Sequence, residues 1–284
     1  MIADSWRIYN MRKGPIGIFD SGLGGLTVFH EIRDRLPQYD YLYLGDTART
    51  PYGTRSFETI YHYTQQGVSY LLDAGCPLVI LACNTASAKA LRTIQQKDLV
   101  AYFPNERVLG VIRPSVEVVG ENSKTKKIGL FGTSGTVRSE SYKMEFNKLF
   151  PDVSLYQEAC PMWVPLVENN EVNTPAAEYF VKKHVENLLD QEPDIDTIIL
   201  ACTHYPLLMD QIRKFVPESI SIMDQGPLVA EKLEDYLQRH PEMETRCDKN
   251  ASSTFMTTGA VDLFEENAEI FFGQKISAEH IELL

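Results

Sequence analysis

Apolar residues along this chain come in short, nearly unbroken runs separated by amphipathic stretches. Runs rich in Ile, Val, Leu and Tyr predict strands near residues 15–19, 40–44, 77–82, 107–112, 126–131, 153–157, 195–201, 219–223 and 254–257. Strands of a half-solvated sheet alternate apolar and polar; continuous runs are the mark of a parallel sheet covered on both faces. Between the runs, apolar residues recur at helical spacing. Phe57, Ile60, Tyr61, Val68, Leu71 and Leu72 share one face, Phe180, Val181, Val185, Leu188 and Leu189 another, and Val229, Leu233, Tyr236 and Leu237 a third. Alternating strand and helix predicts an α/β fold with right-handed crossovers. Two polar stretches, 121–127 and 239–253, read as surface loops. The second, charge-rich and carrying Pro241, reads as the more mobile.

The pattern also repeats. Gly17-Ile-Phe-Asp-Ser-Gly22 is echoed by Gly129-Leu-Phe-Gly-Thr-Ser134, and Leu81-Ala-Cys-Asn-Thr-Ala-Ser87 by Leu200-Ala-Cys-Thr-His-Tyr-Pro206, in the same order in each half. Two similar α/β units packed face to face would bring these equivalent loops to one cleft. Open parallel sheets bind ligands beyond the carboxyl ends of their strands.

Composition narrows the function classes. The 284 residues are 44% hydrophobic and 23% charged, ordinary for a globular chain, with net charge −12 at pH 7. No basic surface dominates, so nucleic acid is not the expected partner. No run is long enough to span a bilayer, and Met1 to Asn10 lacks a signal-peptide core, so the expected setting is cytoplasmic, without membrane attachment. There the five cysteines, Cys76, Cys83, Cys160, Cys202 and Cys247, stay reduced.

Cys83 and Cys202 end equivalent strands and precede helices, where unpaired N–H groups favour a thiolate. Cys76, Cys160 and Cys247 read as buried, inert thiols. Two opposed thiols suit inversion of a stereocentre: one removes a proton while the other delivers one from the opposite face. A thiol needs only a modest push from its usual value to serve near neutral pH. His204 stands two residues beyond Cys202 and can polarise it. Asp20 ends the first strand, where it serves the Cys83 side or caps the following helix. His30, His62, His184, His240 and His280 read as structural or solvated. The Gly22-Leu-Gly-Gly25 loop and the turn Thr50-Pro-Tyr-Gly53 offer backbone N–H groups, and the latter also presents Tyr52. Asp20, Ser21, Asn84, Thr85 and Thr203 form a polar set at the strand ends, able to hold a carboxylate and, through Asp20, an ammonium.

Jointly, Ile18-Phe-Asp-Ser-Gly-Leu-Gly-Gly25, Thr50-Pro-Tyr-Gly53, Ala82-Cys-Asn-Thr-Ala86, Gly132-Thr133, Ala159-Cys-Pro161, Val164-Pro-Leu-Val-Glu168 and Ala201-Cys-Thr-His-Tyr-Pro206 resemble the glutamate racemases of the aspartate/glutamate racemase superfamily. They run in that family's order over nearly the whole chain. The resemblance implies interconversion of L- and D-glutamate with no cofactor or metal, the D-isomer feeding peptidoglycan. It implies proton abstraction from the D-isomer by Cys83 and from the L-isomer by Cys202, with Asp20, Glu168 and His204 beside the thiols. It implies substrate contacts from Asp20, Ser21, Tyr52, Gly53, Asn84, Thr85, Thr203 and His204. It implies two α/β domains with mainly parallel sheets and the site in the cleft between them, the first domain being 1–107 with 219–284 and the second 108–218, and commonly a homodimer. Trp163 departs from the family pattern and is expected to alter the outer pocket. The first dozen residues precede the family's usual start and read as a tail or an early start codon.

Three rivals differ in chemistry. An aspartate racemase would keep both thiols and change only the pocket. An aspartyl-phosphate phosphotransferase would use Asp20 as nucleophile, but wants a second carboxylate where Gly22 stands. A zinc module built on Cys83, Cys202 and His204 lacks the tight four-ligand spacing such sites use.

Overall fold

The computed structural model describes residues 12–283. The first eleven residues, including the expected tail and the stretch judged for a signal peptide, lie outside the described residues. Nine predicted strands form: β1 (Ile16–Asp20), β2 (Tyr41–Gly45), β3 (Leu78–Leu81), β4 (Arg107–Gly110), β5 (Lys127–Gly132), β6 (Ser154–Ala159), β7 (Thr197–Ala201), β8 (Ser221–Met223) and β9 (Ser253–Thr257). A tenth, β10 (Ala278–His280), was not foreseen. It is three residues of Ala-Glu-His at the sheet edge, with no apolar run to announce it.

Every strand pair is parallel. The strands divide into a six-stranded sheet, β10-β9-β2-β1-β3-β4, and a four-stranded sheet, β6-β5-β7-β8. The core of the first, β2-β1-β3-β4, has the same order as the whole of the second, so the sequence echo is an echo of topology. β1, β2, β3 and β7 are buried along their full length, as their unbroken hydrophobicity requires. The expected boundaries fit this division imperfectly at both crossings. β4 pairs with β3, so residues 108–110 belong to the first sheet, and β8 pairs with β7, so 221–223 belong to the second. Boundaries drawn at apolar runs cannot say which neighbour a strand joins; its pairing partner decides.

The helices that cover the sheets start at local signals. Ser56 caps α1 (Phe57–Asp73) by accepting from Thr59 N, Thr174 caps α2 (Pro175–Gln191) with Pro175 in its first turn, and Asp224 caps α3 (Gln225–Arg239). Gly67 lets α1 settle on β1, because a Cβ there would overlap the Phe19 ring. Phe29 centres the other face of the first sheet, its ring 5.2 Å from Phe272 and 5.9 Å from Tyr43. Burying such rings contributes roughly 2–3 kcal/mol each.

Three sequence expectations change. Phe57 is 47% exposed and carries the Lys89 ammonium over its ring instead of joining the core. It opens α1, where Glu58 beside it is also exposed. The 239–253 segment is docked. Met243, Arg246 and Cys247 are buried, Arg246 donates to Glu106 Oε1 and to the carbonyls of Asn105 and Arg12, and Gly14 bridges to Cys247. Its charges satisfy partners far away in sequence. Trp163 is fully buried against Phe131 and Tyr205, at 4.9 and 4.8 Å between ring centres. It therefore packs the second sheet's core and does not line an outer pocket.

Candidate active site

Cys83 lies two residues past β3 and caps the short helix Asn84–Lys89, accepting from Ala86 N at 3.5 Å. Its Sγ donates to Ser21 Oγ at 3.4 Å. Asp20 ends β1, the neighbouring strand, and Ser21 follows it, so parallel pairing brings them beside the thiol. Asp20 is completely buried. One carboxylate oxygen accepts from Gly22 N at 2.9 Å and the other, Oδ1, has no protein partner. Burial raises the Asp20 carboxyl above its ordinary value, against the pull of His204. A buried acceptor lacking a donor is a place for a ligand N–H.

Cys202 lies one residue past β7, at the position equivalent to Cys83. Its Sγ is 4.0 Å from His204 Nδ1, and His204 Nε2 meets Glu168 Oε1 at 3.1 Å. Glu168 ends the helix Trp163–Glu168, which the buried Trp163 anchors. Phe271 lies edge-on to the His204 ring, 5.3 Å between centres, and fixes its plane from the first sheet's side. The arrangement is a carboxylate–imidazole–thiol chain, with Thr203 Oγ1 also 3.4 Å from Nδ1.

The thiols depart from the sequence expectation of an easily ionised group. Burial is the largest cause and pushes Cys83 up to about 11, with Asp20 adding to it; Ser21 and Ala86 pull the other way and lose. Burial raises Cys202 further, and negative charge on Cys83 raises it again. A six-residue helix supplies too little field to offset full desolvation.

The cleft between the sheets is shut. Thr85 Oγ1 is 3.0 Å from Thr133 Oγ1, and an added Cβ on Gly135 would come within 2.9 Å of the Gly53 carbonyl. On the opposite side Thr27 Oγ1 donates to the Thr203 carbonyl at 3.0 Å. Asp20, Ser21, Tyr52, Asn84, Thr85, Thr203 and His204 are all buried, and both thiols are only 6% exposed. Gly53 meets Thr133 across the cleft. Two side chains point elsewhere than the sequence suggested. The Tyr52 hydroxyl donates to Asp46 Oδ2 at 2.5 Å. The Asn84 amide is bonded to Tyr142 and Gln225.

The Asp/Glu/hydantoin racemase family matches residues 27–233. This chain belongs to that racemase family. It is 41% identical to the glutamate racemase of Roseobacter denitrificans over 272 residues, 92% of this chain and 97% of that relative. It is 37% identical to the glutamate racemase of Streptococcus gordonii, over 96% of this chain and all of the relative. Among solved structures, glutamate racemase isoform RacE1 of Bacillus anthracis superposes with a TM-score of 0.86 at 35% identity, covering 95% of this chain and 98% of that one. The Francisella tularensis glutamate racemase in complex with D-glutamate gives 0.85 at 29% identity, with the same coverage of each chain.

Of the residues expected at the racemase site, the structure gathers Asp20, Ser21, Cys83, Glu168, Cys202, Thr203 and His204 around the two thiols, and Gly53 and Thr85 at the closing edge. Sequence reading missed Asp46, which accepts from Tyr52, from Arg49 and from Thr258 and so holds the 47–53 loop, and Phe271 and Thr136, which brace His204 and the threonine edge. Asp46 directly follows β2, the same strand-end signal that marked Asp20. The remaining histidines lie apart: His184 bonds Glu158, and His240 bonds Glu242. Cys76, Cys160 and Cys247 are buried. Among the described residues no helix is long and apolar enough to cross a membrane, and no group of three or more His, Cys, Asp or Glu is placed to hold a metal ion.

Proposed function

We propose that this racemase interconverts L- and D-glutamate by a two-thiol proton transfer. The Cys83 thiolate takes the α-proton of D-glutamate, leaving an enolate-like carbanion and a Cys83 thiol. Cys202 then delivers its proton to the other face, giving L-glutamate and a Cys202 thiolate. The reverse direction exchanges the roles. The single observation that carries the reading is the pair of thiols at equivalent strand ends, each with its own partners: Ser21 and Asp20 for Cys83, His204 and Glu168 for Cys202. The unpartnered Asp20 Oδ1 suits the substrate ammonium. Ser21, Thr85, Thr203 and His204 would supply side-chain donors, while Tyr52, Gly53 and Asn84 would serve through backbone N–H groups. The shut cleft supports the chemistry, since expelling water strengthens the contacts that stabilise the carbanion. By the same reading the two sheets with their helices act as two domains that part to admit substrate. The enzyme works as a cytoplasmic homodimer supplying D-glutamate for peptidoglycan, and needs no cofactor.

Exchange of the α-hydrogen with solvent deuterium tests this. Wild-type enzyme is expected to exchange glutamate faster than aspartate, and Cys83→Ala and Cys202→Ala are each expected to abolish racemisation. Racemisation at the wild-type rate by either variant would end the two-thiol account; faster exchange with aspartate would end the substrate assignment.

A further inference from the structure

Three buried polar side chains close a hydrogen-bonded ring, with a fourth attached to it, where the helices of the two sheets meet. Asn84 follows Cys83 directly. Ser115 lies on the helix Ile112–Asn122, Tyr142 on the helix Ser141–Leu149, and Gln225 opens α3. Asn84 Nδ2 donates to Gln225 Oε1 at 2.5 Å, and the Tyr142 hydroxyl donates to Asn84 Oδ1 at 2.6 Å. Gln225 Nε2 donates to Tyr142 Oη at 2.6 Å and to Ser115 Oγ at 2.7 Å, and the Ser115 hydroxyl donates to the Val111 carbonyl at 2.7 Å. None of the four is more than 2% exposed. In this arrangement both amides and the Tyr142 hydroxyl each donate and accept within the ring. Fully satisfied buried networks of this kind fix geometry, because any other arrangement leaves a polar group unpaired.

The position of the ring is what gives it a function. The chain crosses from the first sheet to the second after β4, and returns after β8. Ser115 and Gln225 lie just beyond those two crossings, and Tyr142 belongs to a helix flanking the second sheet. Asn84 is the first residue of the helix that Cys83 caps. Both crossings are thus tied to the residue next to one thiol.

We infer that Tyr142 and Gln225 are positioning residues for the Cys83 half of the reaction, holding that thiol at a fixed distance from the second sheet when the cleft is shut. This rests on the two-thiol reading above. Neither side chain is bonded to Cys83; both act through Asn84. A displacement of an ångström can cost roughly a hundredfold in rate, so loosening one anchor of the ring is expected to lower kcat roughly tenfold, with little change in KM.

The test is the α-deuterium isotope effect in each direction for Tyr142→Phe and Gln225→Glu, the second keeping the acceptor for Asn84 while losing the donor to Tyr142. If Cys83 is displaced, its proton transfer becomes slower than that of Cys202. The isotope effect then rises for D-glutamate and falls for L-glutamate. The ratio of the two does not depend on how much of a variant is folded, so partial unfolding does not imitate the result. A ratio of the two isotope effects unchanged from wild type would overturn the inference, as would unaltered kcat. Cys83→Ala measured alongside separates the two levels. If it racemises normally, the two-thiol reading falls; if it is dead while Tyr142→Phe shows no asymmetry, only the positioning role falls.

Discussion

A thiol held at about 11 is almost wholly protonated at neutral pH, and this makes the pH profile the sharpest probe of the site. At pH 7 a group of that value is ionised in about one molecule in ten thousand, an energetic cost of roughly 5 kcal/mol. Because kcat/KM reports the ionisation of the free enzyme, kcat/KM for D-glutamate is expected to climb close to tenfold per pH unit from about pH 6.5 to about pH 8.5. Burial is the largest cause, so the sign is fixed: raising pH creates the competent thiolate. Ionisation of Asp20, itself raised by burial, would push Cys83 higher and flatten the rise without reversing it. Racemisation followed by circular dichroism at saturating and sub-saturating substrate gives the profile. The upper limit of pH has its own reason. Cys76 and Cys247 are pushed up to about 12 and Cys83 to about 11, from an ordinary value of 9.0. Their neutral forms favour the fold fully below pH 9, and that contribution is lost as pH rises through 11 to 12. Thermal unfolding across the assay window should therefore be flat. A plateau in kcat/KM above neutral pH, such as an already ionised base would give, would refute the reasoning.

Other perturbations follow from named contacts. A Cβ added in Gly24→Ala would overlap Thr203 Oγ1 and the His204 ring, so the cleft should fail to shut; kcat/KM is expected to fall by more than about tenfold while the unfolding midpoint moves little, and unchanged kinetics would remove closure from the account. Glu168→Gln removes the charge behind His204 and is expected to slow the Cys202 step, raising the deuterium isotope effect for L-glutamate and lowering it for D-glutamate; no shift in that balance would detach Glu168 from the thiol. Asp46→Asn removes the buried charge that accepts from Arg49, Tyr52 and Thr258. It is expected to cost about 2–4 kcal/mol in urea unfolding, and a loss below about 0.5 kcal/mol would show that the loop does not depend on it.

What one stretch of chain encodes was legible without coordinates. β1, β3 and β7 are buried on both faces and had to be continuous apolar runs, and the thiols had to follow two of them because the echoes Leu81-Ala-Cys and Leu200-Ala-Cys sit at strand ends. Beyond Glu168 and His204, which the family resemblance put beside the thiols, the side-chain partners were not legible, because they come from distant segments. Asn84 meets Gln225 across 141 residues, and Asp46 meets Thr258 across 212. Sequence placed Tyr52 and Asn84 at the site by position, but the direction of a hydroxyl or an amide is set by whichever buried acceptor lies nearest, and that is a property of packing.

The chain alone determined the element types, the echo between halves and the residues brought to the strand ends, since hydrophobic period and capping act over a few neighbours. Only the tertiary structure decided the order β10-β9-β2-β1-β3-β4, the docking of the 239–253 segment and the resistance of both thiols to ionisation. Strand order follows from which faces can be covered together, and a thiol's acidity from how much water the closed cleft removes; each is a sum over contacts that no local stretch contains.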